Sequence, residues 1–319
     1  MKPLVAERSR STEPQEAGSA SAIDVKGLTK SYGENVVLQG IDLKIPSGVV
    51  YAIVGPNGAG KTTTVEILEG FRSRDGGAVE VLGIDPMKPT HEWRTRIGIV
   101  LQSCQMPGEL TVGELVERFG GYYPHSRAVS ETLDLVGLAD RATARAGSLS
   151  GGQQRRLDVA LALVGDPELI FLDEPTTGFD PSARHNAWEV IGRLRDLGKT
   201  IILTTHYMEE AEALADRVAV IVAGDVVAEG PPETLGGRGD ATAMIRFRLP
   251  PGLAFEALPV LPGCDVRADN GNVVARRASL ESIGTLVSWA LDQHLELPDL
   301  VVERPSLEDV YLELIGGSK

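Results

Sequence analysis

The sequence has few cysteines, no long hydrophobic run and no excess of positive charge. Cys104 and Cys264 lie far apart, form no metal-binding spacing, and are expected to be free thiols in a reducing cytosol. A membrane-spanning helix needs about 18 consecutive apolar residues, whereas the best apolar run, Val218–Ala223, has the length of a strand. With 31 basic and 45 acidic residues, the net charge of −14 argues against a general affinity for nucleic acid or acidic lipid, since both require a basic surface.

The N-terminal segment also lacks the apolar centre of a secretory signal. Its polar composition predicts a disordered tail over residues 1–22. Together with the missing hydrophobic runs, this predicts a soluble, cytoplasmic chain, so that any role at a membrane would depend on a partner.

Beyond the tail, short apolar runs alternate with helical segments, a pattern typical of an α/β fold with a mainly parallel sheet. Two segments with period-two alternation, IDVKGLTKSYG and NVVLQGIDLKI, predict antiparallel strands. Helical spacing predicts a helix from Lys61 to Phe71. Buried parallel strands are predicted at VVYAIV before Gly55, Ile97–Leu101, Leu169–Leu172, Ile201–Thr204 and Val218–Val222.

Two further regions depart from this alternation. Between Leu110 and Val164 only helical patterns occur, which predicts a helical insertion. The Gly- and Pro-rich stretch Gly230–Asp240 predicts a boundary, after which the pattern indicates a small α+β unit. No internal repeat is present, so the chain is expected to hold one nucleotide domain.

A phosphate-binding loop is predicted between the third strand and the first long helix. Gly55, Gly60, Lys61 and Thr62 fit the pattern G-x-x-x-x-G-K-[ST]. Glycines let the backbone turn its N–H groups toward phosphate oxygens. Lys61 would add a positive charge and the Thr62 hydroxyl would ligate Mg²⁺, which predicts an ATP site.

Polar side chains stand at the ends of three of the predicted strands. The strand in LIFLDEP delivers Asp173, suited to Mg²⁺ coordination, and Glu174, suited to polarising an attacking water. The segment IILTTH, on what should be the neighbouring strand, ends in His206, which would reach the γ-phosphate. Gln102 follows IGIVL, where it would bridge Mg²⁺ and the water. Because α/β folds bind ligands at the carboxyl ends of their strands, these groups are predicted to meet at one site.

A second turn of anion-binding type stands 89 residues beyond Lys61. The segment LSGGQ places Ser150 and two glycines at the start of a predicted helix, where unpaired N–H groups gather. One ATP site does not need two such turns.

From about Ile23 to Glu233, and in motif order, the chain resembles the nucleotide-binding subunits of ABC transporters. The residues that match the ATP-binding Walker A loop are Gly55, Pro56, Asn57, Gly58, Ala59, Gly60, Lys61, Thr62 and Thr63. The residues that match the signature motif are Leu149, Ser150, Gly151, Gly152 and Gln153. The remaining matches are the Q-loop Gln102, the Walker B strand Leu169–Asp173, the following Glu174, the D-loop Asp180, the switch His206, and Tyr32, expected to stack on adenine. Phe179 stands where the family usually has leucine, a conservative departure.

The resemblance implies a P-loop ABC ATPase core, an α/β domain over residues 23–235. This core would include an antiparallel β subdomain and a helical insertion at about 103–165. A small α+β accessory or regulatory domain would follow over 240–319. It implies an active ATPase in which Glu174, His206 and Gln102 are catalytic, while Thr62, Gln102 and Asp173 hold Mg²⁺. Two copies, or a copy and a paralogue, would pack head to tail, so that Ser150 and Gly152 face the phosphate held by the partner's Lys61. Separate integral-membrane permease subunits would place the chain on the cytoplasmic face of the membrane, with their contact near Gln102–Tyr123 and no nucleic-acid partner.

The segment Pro305–Gly317, PSLEDVYLELIGG, resembles the C-terminal motif of drug-resistance and ABC-2-type exporter ATPases. This favours export of a drug-like, lipid or polysaccharide substrate. The same segment predicts a helix capped by Ser306 with Asp309 in its first turn, and with Leu307, Val310, Tyr311 and Leu314 on one face. An importer ATPase shares every catalytic motif and stays open as an alternative, as do a soluble ABC ATPase outside transport and a non-catalytic ATP-binding regulator.

Overall fold

The computed structural model describes residues 21–100, 108–240, 243–269 and 271–316. Gln102, Cys104 and most of the predicted tail lie outside these residues. Of that tail, only Ser21 and Ala22 are described, and both belong to the first strand, where Ala22 is buried. The last two residues of the predicted tail are therefore part of a strand.

A six-stranded sheet forms the centre of the molecule. Its strands, in sheet order, are β5 (Ile97–Val100), β6 (Leu169–Asp173), β7 (Thr200–Thr205), β3 (Val50–Val54), β8 (Arg217–Val222) and β9 (Asp225–Gly230). Only the β8–β9 pair is antiparallel among the neighbours in this sheet. All of β3 and β7 is buried, as expected of parallel strands covered on both faces. The predicted α/β class is therefore confirmed.

A three-stranded antiparallel sheet packs beside it. Its order is β2 (Asn35–Pro46), β1 (Ser21–Tyr32) and β4 (Gly76–Val81), as the period-two alternation of the first two segments predicts. Its buried residues share a core with β3, the first helix α1 (Lys61–Leu68) and the short α2 (His91–Thr95). Trp93 of α2 is buried there and donates its indole N–H to the Val81 carbonyl at 2.8 Å. The small sheet thus holds the helix that follows the phosphate loop.

Helix α1 ends three residues before the predicted Phe71. Gly70 adopts a left-handed conformation with φ 76°, its N–H donates to the Ile67 carbonyl, and the Phe71 N–H donates to the Glu66 carbonyl. These two bonds form a Schellman motif, which closes a helix at a glycine. Phe71 therefore leaves the helix, and 73% of its surface is exposed.

Three helices form the predicted helical insertion, α3 (Val112–Gly120), α4 (Val129–Leu135) and α5 (Gly151–Leu163), and they contact one another. Thr111 caps α3 and Ser150 caps α5, each in a capping box with the residue three positions later. Two more helices cover the sheet, α6 (Pro181–Asp196) and α7 (Met208–Leu214). Because α7 follows β7 after two residues, its position is tied to the end of that strand.

The C-terminal residues form a separate sheet with its own core. Its order is β11 (Asp265–Asp269), β12 (Asn272–Ala278), β10 (Ala243–Arg248) and β13 (Val301–Glu303), covered by helix α8 (Leu280–Asp292). This agrees with the predicted small α+β unit.

The last helix, α9 (Leu307–Gly316), packs against α7. Its cap is as predicted: the Ser306 hydroxyl accepts from the Asp309 N–H at 3.1 Å, and the Asp309 carboxylate accepts from the Ser306 N–H at 2.8 Å. Leu307 is buried in the same cluster as Leu214 of α7 rather than in the core of the C-terminal sheet. Ion pairs to β10 and β12 attach the opposite side of α9 to that sheet. Helix α9 therefore joins the C-terminal sheet to the central one.

The segment before β10 is tightly held. Residues Leu235–Asp240 form a 3-10 helix in which Arg238 donates to the Pro305 and Pro232 carbonyls at 2.8 and 2.7 Å and to the Glu212 carboxylate at 2.6 Å. Among the described residues, no helix is both long enough and apolar enough to cross a membrane.

Candidate functional site

The predicted phosphate loop connects β3 to α1. Gly58 and Gly60 adopt left-handed backbone conformations with φ 80° and 106°. A Cβ on Gly55 would lie 2.1 Å from the Ile221 carbonyl oxygen, and one on Gly60 would lie 2.6 Å from Leu38 Cδ2. The loop is therefore pressed against the protein on one side, while Asn57, Gly58 and Thr62 are exposed.

The start of α1 offers unpaired donors at this loop. The first intrahelical bond is from the Thr64 N–H to the Gly60 carbonyl, so the N–H groups of Lys61, Thr62 and Thr63 precede the helical ladder. They carry the positive end of the helix dipole toward the loop. This arrangement suits an anion.

Lys61 is folded over the loop it belongs to. Its ammonium donates to the Gly55 carbonyl at 2.8 Å and to the Pro56 carbonyl at 3.1 Å. Burial lowers the pKa of this ammonium, and the carboxylates of Glu174 and Asp173 oppose that change. The lysine and both acids therefore share one electrostatic environment, although they are more than 100 residues apart in sequence.

Asp173 and Glu174 are fixed at the end of β6 by Thr204 of β7. Asp173 pairs with Thr204 in the parallel register. The Thr204 hydroxyl donates to Asp173 Oδ1 at 2.5 Å and accepts from the Glu174 N–H at 3.0 Å. Glu174 has a left-handed backbone with φ 45°, a conformation that costs a non-glycine residue about 1 kcal/mol or more and needs such support.

His206 lies directly beside Glu174. Its Nδ1 is 3.4 Å from Glu174 Oε1, and the other Glu174 oxygen accepts from the Thr177 hydroxyl at 3.0 Å. The adjacency of β6 and β7 in the sheet produces this contact, since His206 and Glu174 each follow one of these strands. A carboxylate next to an imidazole at the end of a parallel sheet suits proton transfer to or from a bound water.

The signature residues Leu149, Ser150, Gly151, Gly152 and Gln153 form the start of α5. The Ser150 N–H donates to Gln153 Oε1 at 3.0 Å, and the Gln153 N–H donates to the Ser150 hydroxyl at 3.3 Å. Within the chain this turn faces α6, because a Cβ on Gly152 would lie 3.7 Å from the Ala183 side chain. Ser150 itself is exposed.

Two other predicted residues occupy element ends. Asp180 caps α6, and its Oδ1 accepts from the Ala183 N–H at 2.9 Å. Tyr32 ends β1 and is 42% exposed, with the Arg72 guanidinium 5.3 Å and the Lys30 ammonium 5.5 Å from its ring centroid. Gln102 lies outside the described residues.

Three supporting residues were missed by sequence reasoning. Thr204 holds both acids, and Thr177 orients Glu174. Arg155 of the signature helix donates to the Asp173 carbonyl at 2.9 Å, which ties α5 to the end of β6. The sequence signal for Thr204 is its position two residues before His206, because that places it opposite Asp173 once β6 and β7 are paired.

The residues present fit a magnesium nucleotide. The exposed Thr62 hydroxyl and the Asp173 carboxylate are hard oxygen donors, the kind that Mg²⁺ prefers, and the loop glycines leave open backbone beside them. The free N–H groups at the start of α1 and the Lys61 ammonium match phosphate oxygens.

Comparison with known proteins agrees with this geometry. The family described as "ABC transporter" matches residues 38–177, and a second family, "ABC transporter domain-containing protein-like, C-terminal domain", matches residues 243–306. The daunorubicin resistance ATP-binding protein DrrA3 of Streptomyces coeruleorubidus is 38% identical over 310 residues, which cover 94% of this chain and 97% of that relative. The Nod factor export ATP-binding protein I of Mesorhizobium japonicum is 44% identical over 231 residues, or 71% of this chain and 68% of that protein.

Solved structures with this fold are ATP-binding cassettes. The ADP conformation of one cassette from an ABC transporter aligns with a TM-score of 0.61 and 27% identity, covering 67% of this chain and 92% of that one. A dimeric post-hydrolysis cassette bound to ADP and Pi aligns with a TM-score of 0.58 and 27% identity, covering 66% of this chain and 98% of that one. The chain belongs to the ATP-binding subunits of ABC transporters, a family of nucleotide-binding ATPases.

Proposed function

We propose that this chain is the ATP-hydrolysing subunit of an ABC exporter and drives transport through separate membrane subunits. The names of its relatives, which refer to daunorubicin resistance and to Nod factor export, favour export over import. They are consistent with a drug-like, lipid or polysaccharide substrate. The observation that carries the catalytic part is the 3.4 Å approach of His206 to Glu174 beside the buried Lys61.

In the proposed reaction the chain's own groups position ATP and a water molecule. Lys61 turns from the loop carbonyls to the β- and γ-phosphates, and the N–H groups at the start of α1 hold the same oxygens. Glu174 accepts a hydrogen bond from the attacking water, and His206 contacts the γ-phosphate from the neighbouring strand end. Thr62, Asp173 and Gln102 would hold Mg²⁺, which when bound neutralises the charge on the phosphates.

The signature turn is proposed to complete the site of a second chain. A dimeric cassette with ADP and Pi among the solved relatives supports a dimer. Ser150 and Gly152 would face the γ-phosphate held by the partner's Lys61, with the positive end of the α5 dipole behind them. Asp180 would lie at the same interface, and Tyr32 would stack on adenine. The second anion-binding turn is then half of a shared site.

The membrane subunit is proposed to contact the helical insertion. A cleft of about 580 Å³ separates α1 and β5 from that insertion, and its walls include Phe71, Phe119 and Tyr123. Contact there would place the chain on the cytoplasmic face of the membrane. The division into an ATPase domain at 23–235 and an accessory domain at 240–319 belongs to the same proposal.

The test is hydrolysis of MgATP by Glu174→Gln. Loss of the base that orients water should lower kcat by about 100-fold or more with ATP binding retained. Glu189→Gln, an exposed acid on α6, is the control and should match wild type. Equal rates for Glu174→Gln and wild type would contradict the role given to Glu174.

A further inference from the structure

A buried acid lies on the helix that follows His206. Glu210 is on α7, four residues after His206, and its surface is 0% exposed. A carboxyl group is almost never buried without polar partners, so its surroundings are informative.

The neighbours of Glu210 come from three different segments. The Trp188 indole N–H donates to Glu210 Oε1 at 3.3 Å from α6. Burial raises the pKa of Glu210, and the hydroxyls of Thr205 and Thr176 oppose that rise. Thr176 Oγ1 and Glu210 Oε2 are both buried but stop short of hydrogen-bond geometry with any described group.

Each of these segments also carries a residue of the proposed site. Thr176 lies two residues after Glu174, Thr205 lies immediately before His206, and Trp188 belongs to the helix that Asp180 caps. The Thr205 hydroxyl also accepts from the Tyr207 N–H at 3.0 Å, which turns the chain at His206. Glu210 therefore lies where the segments that follow β6 and β7 meet helix α6.

A second set of contacts connects α6 to His206 through Tyr207. The Arg184 guanidinium of α6 lies 4.5 Å from the Tyr207 ring, and that ring lies 4.1 Å from the His206 ring. Helix α6 and the histidine are therefore linked from two sides, through Arg184 and through Glu210.

We propose that Glu210 is a positioning residue that holds His206 at its working distance from Glu174, by anchoring the start of α7 to Trp188 of α6. This inference rests on the proposed ATPase function. Glu210 touches neither ATP nor water in it, and acts only through the placement of His206. A displacement of about 1 Å at such a pair is enough to slow a reaction by 100-fold.

The experiment measures MgATP hydrolysis at protein concentrations that support dimers. Glu210→Ala should lower kcat at least 10-fold with KM for ATP within twofold of wild type. Glu210→Gln keeps the volume and an acceptor for the Trp188 indole, and should recover kcat to within threefold of wild type. Glu189→Ala, an exposed acid on the facing helix α6, is the control.

A double-mutant comparison separates positioning from plain stability. In a His206→Ala background, Glu210→Ala should lower kcat less than twofold further, since the residue it places is gone. Trp188→Phe removes the indole N–H together with part of the ring system, and should lower kcat about threefold. This variant serves if Glu210→Ala does not fold.

Three results would overturn the proposal: kcat of Glu210→Ala within twofold of wild type, a full additional loss in the His206→Ala background, or a loss of ATP binding that accounts for the lower rate. If Glu210→Ala does not fold, an unchanged kcat for Trp188→Phe would overturn it. These outcomes differ from failure of the proposed function, in which wild type and Glu174→Gln would hydrolyse ATP equally.

Discussion

Replacing Glu69 by glutamine should stabilise the nucleotide-free protein at neutral and alkaline pH. Glu69 is the residue that caps the C-terminal end of α1, and it is 7% exposed on the wall of the cleft. Burial, and then the negative charges of Asp173 and Glu66, raise the pKa of its carboxyl from 4.5 to about 8. The folded protein therefore keeps a proton that the unfolded chain releases.

The sign and the size of the effect come from linkage. Because the pKa of Glu69 is higher in the folded state, this group costs the folded protein no stability below the unfolded pKa of 4.5. The loss in the free energy of unfolding grows as the pH rises from there toward about 8. Each pH unit in that window is worth about 1.4 kcal/mol, which sets an upper bound of about 3 kcal/mol at pH 7. Glutamine resembles the protonated acid in shape and does not titrate, so Glu69→Gln should remove most of this penalty.

The assay is thermal unfolding at pH 5 and pH 7.5 in EDTA without nucleotide. For a chain of 319 residues, a gain of 2–3 kcal/mol corresponds to a rise in Tm of about 3–5 °C, expected at pH 7.5. At pH 5 the rise should be only about a quarter as large, because that pH is close to the unfolded pKa. Glu117→Gln, an exposed acid on α3, should change neither value. A Tm difference that is the same at both pH values would refute the assignment of a buried, protonated Glu69.

Two more predictions concern assembly and the C-terminal helix. Ser150→Arg should abolish ATP-induced dimers, because the arginine occupies the proposed interface, and should keep ATP affinity within about threefold of wild type. Dimers are measured by light scattering, and Ser288→Arg, on the exposed face of α8, is the control. ATP-dependent dimers of Ser150→Arg would contradict the shared site. Arg238→Ala removes the hydrogen bonds to Glu212 and to two carbonyls, so the free energy of unfolding should fall by about 1–3 kcal/mol. Hydrogen exchange should rise in α9, whereas Arg248→Ala, whose ion pair is exposed, should leave exchange there unchanged.

The motifs and the parallel strands were predictable because their signals are local. Continuous apolar runs mark strands buried on both faces, and the groups that come after them in sequence must lie at their carboxyl ends. The caps at Ser150 and Ser306 were equally accessible, since a capping box depends on residues three positions apart. The end of α1 could not be predicted in this way, because the helical spacing continues to Phe71, past a glycine that closes the helix.

The supporting residues and the domain contacts depended on tertiary structure. Thr204 bridges Asp173 and Glu174 only once β6 and β7 pair in register. Glu210 and Glu69 look like ordinary helix-surface acids in the sequence, and only packing between distant elements buries them.

The sequence by itself therefore determined the nucleotide chemistry and the order of the elements, since both rest on short spacings. Tertiary structure decided which face of α9 packs against α7 and which groups hold His206 beside Glu174. The physical reason is that burial and hydrogen-bond partners of a side chain come from residues remote in sequence, whose positions depend on strand order and helix packing.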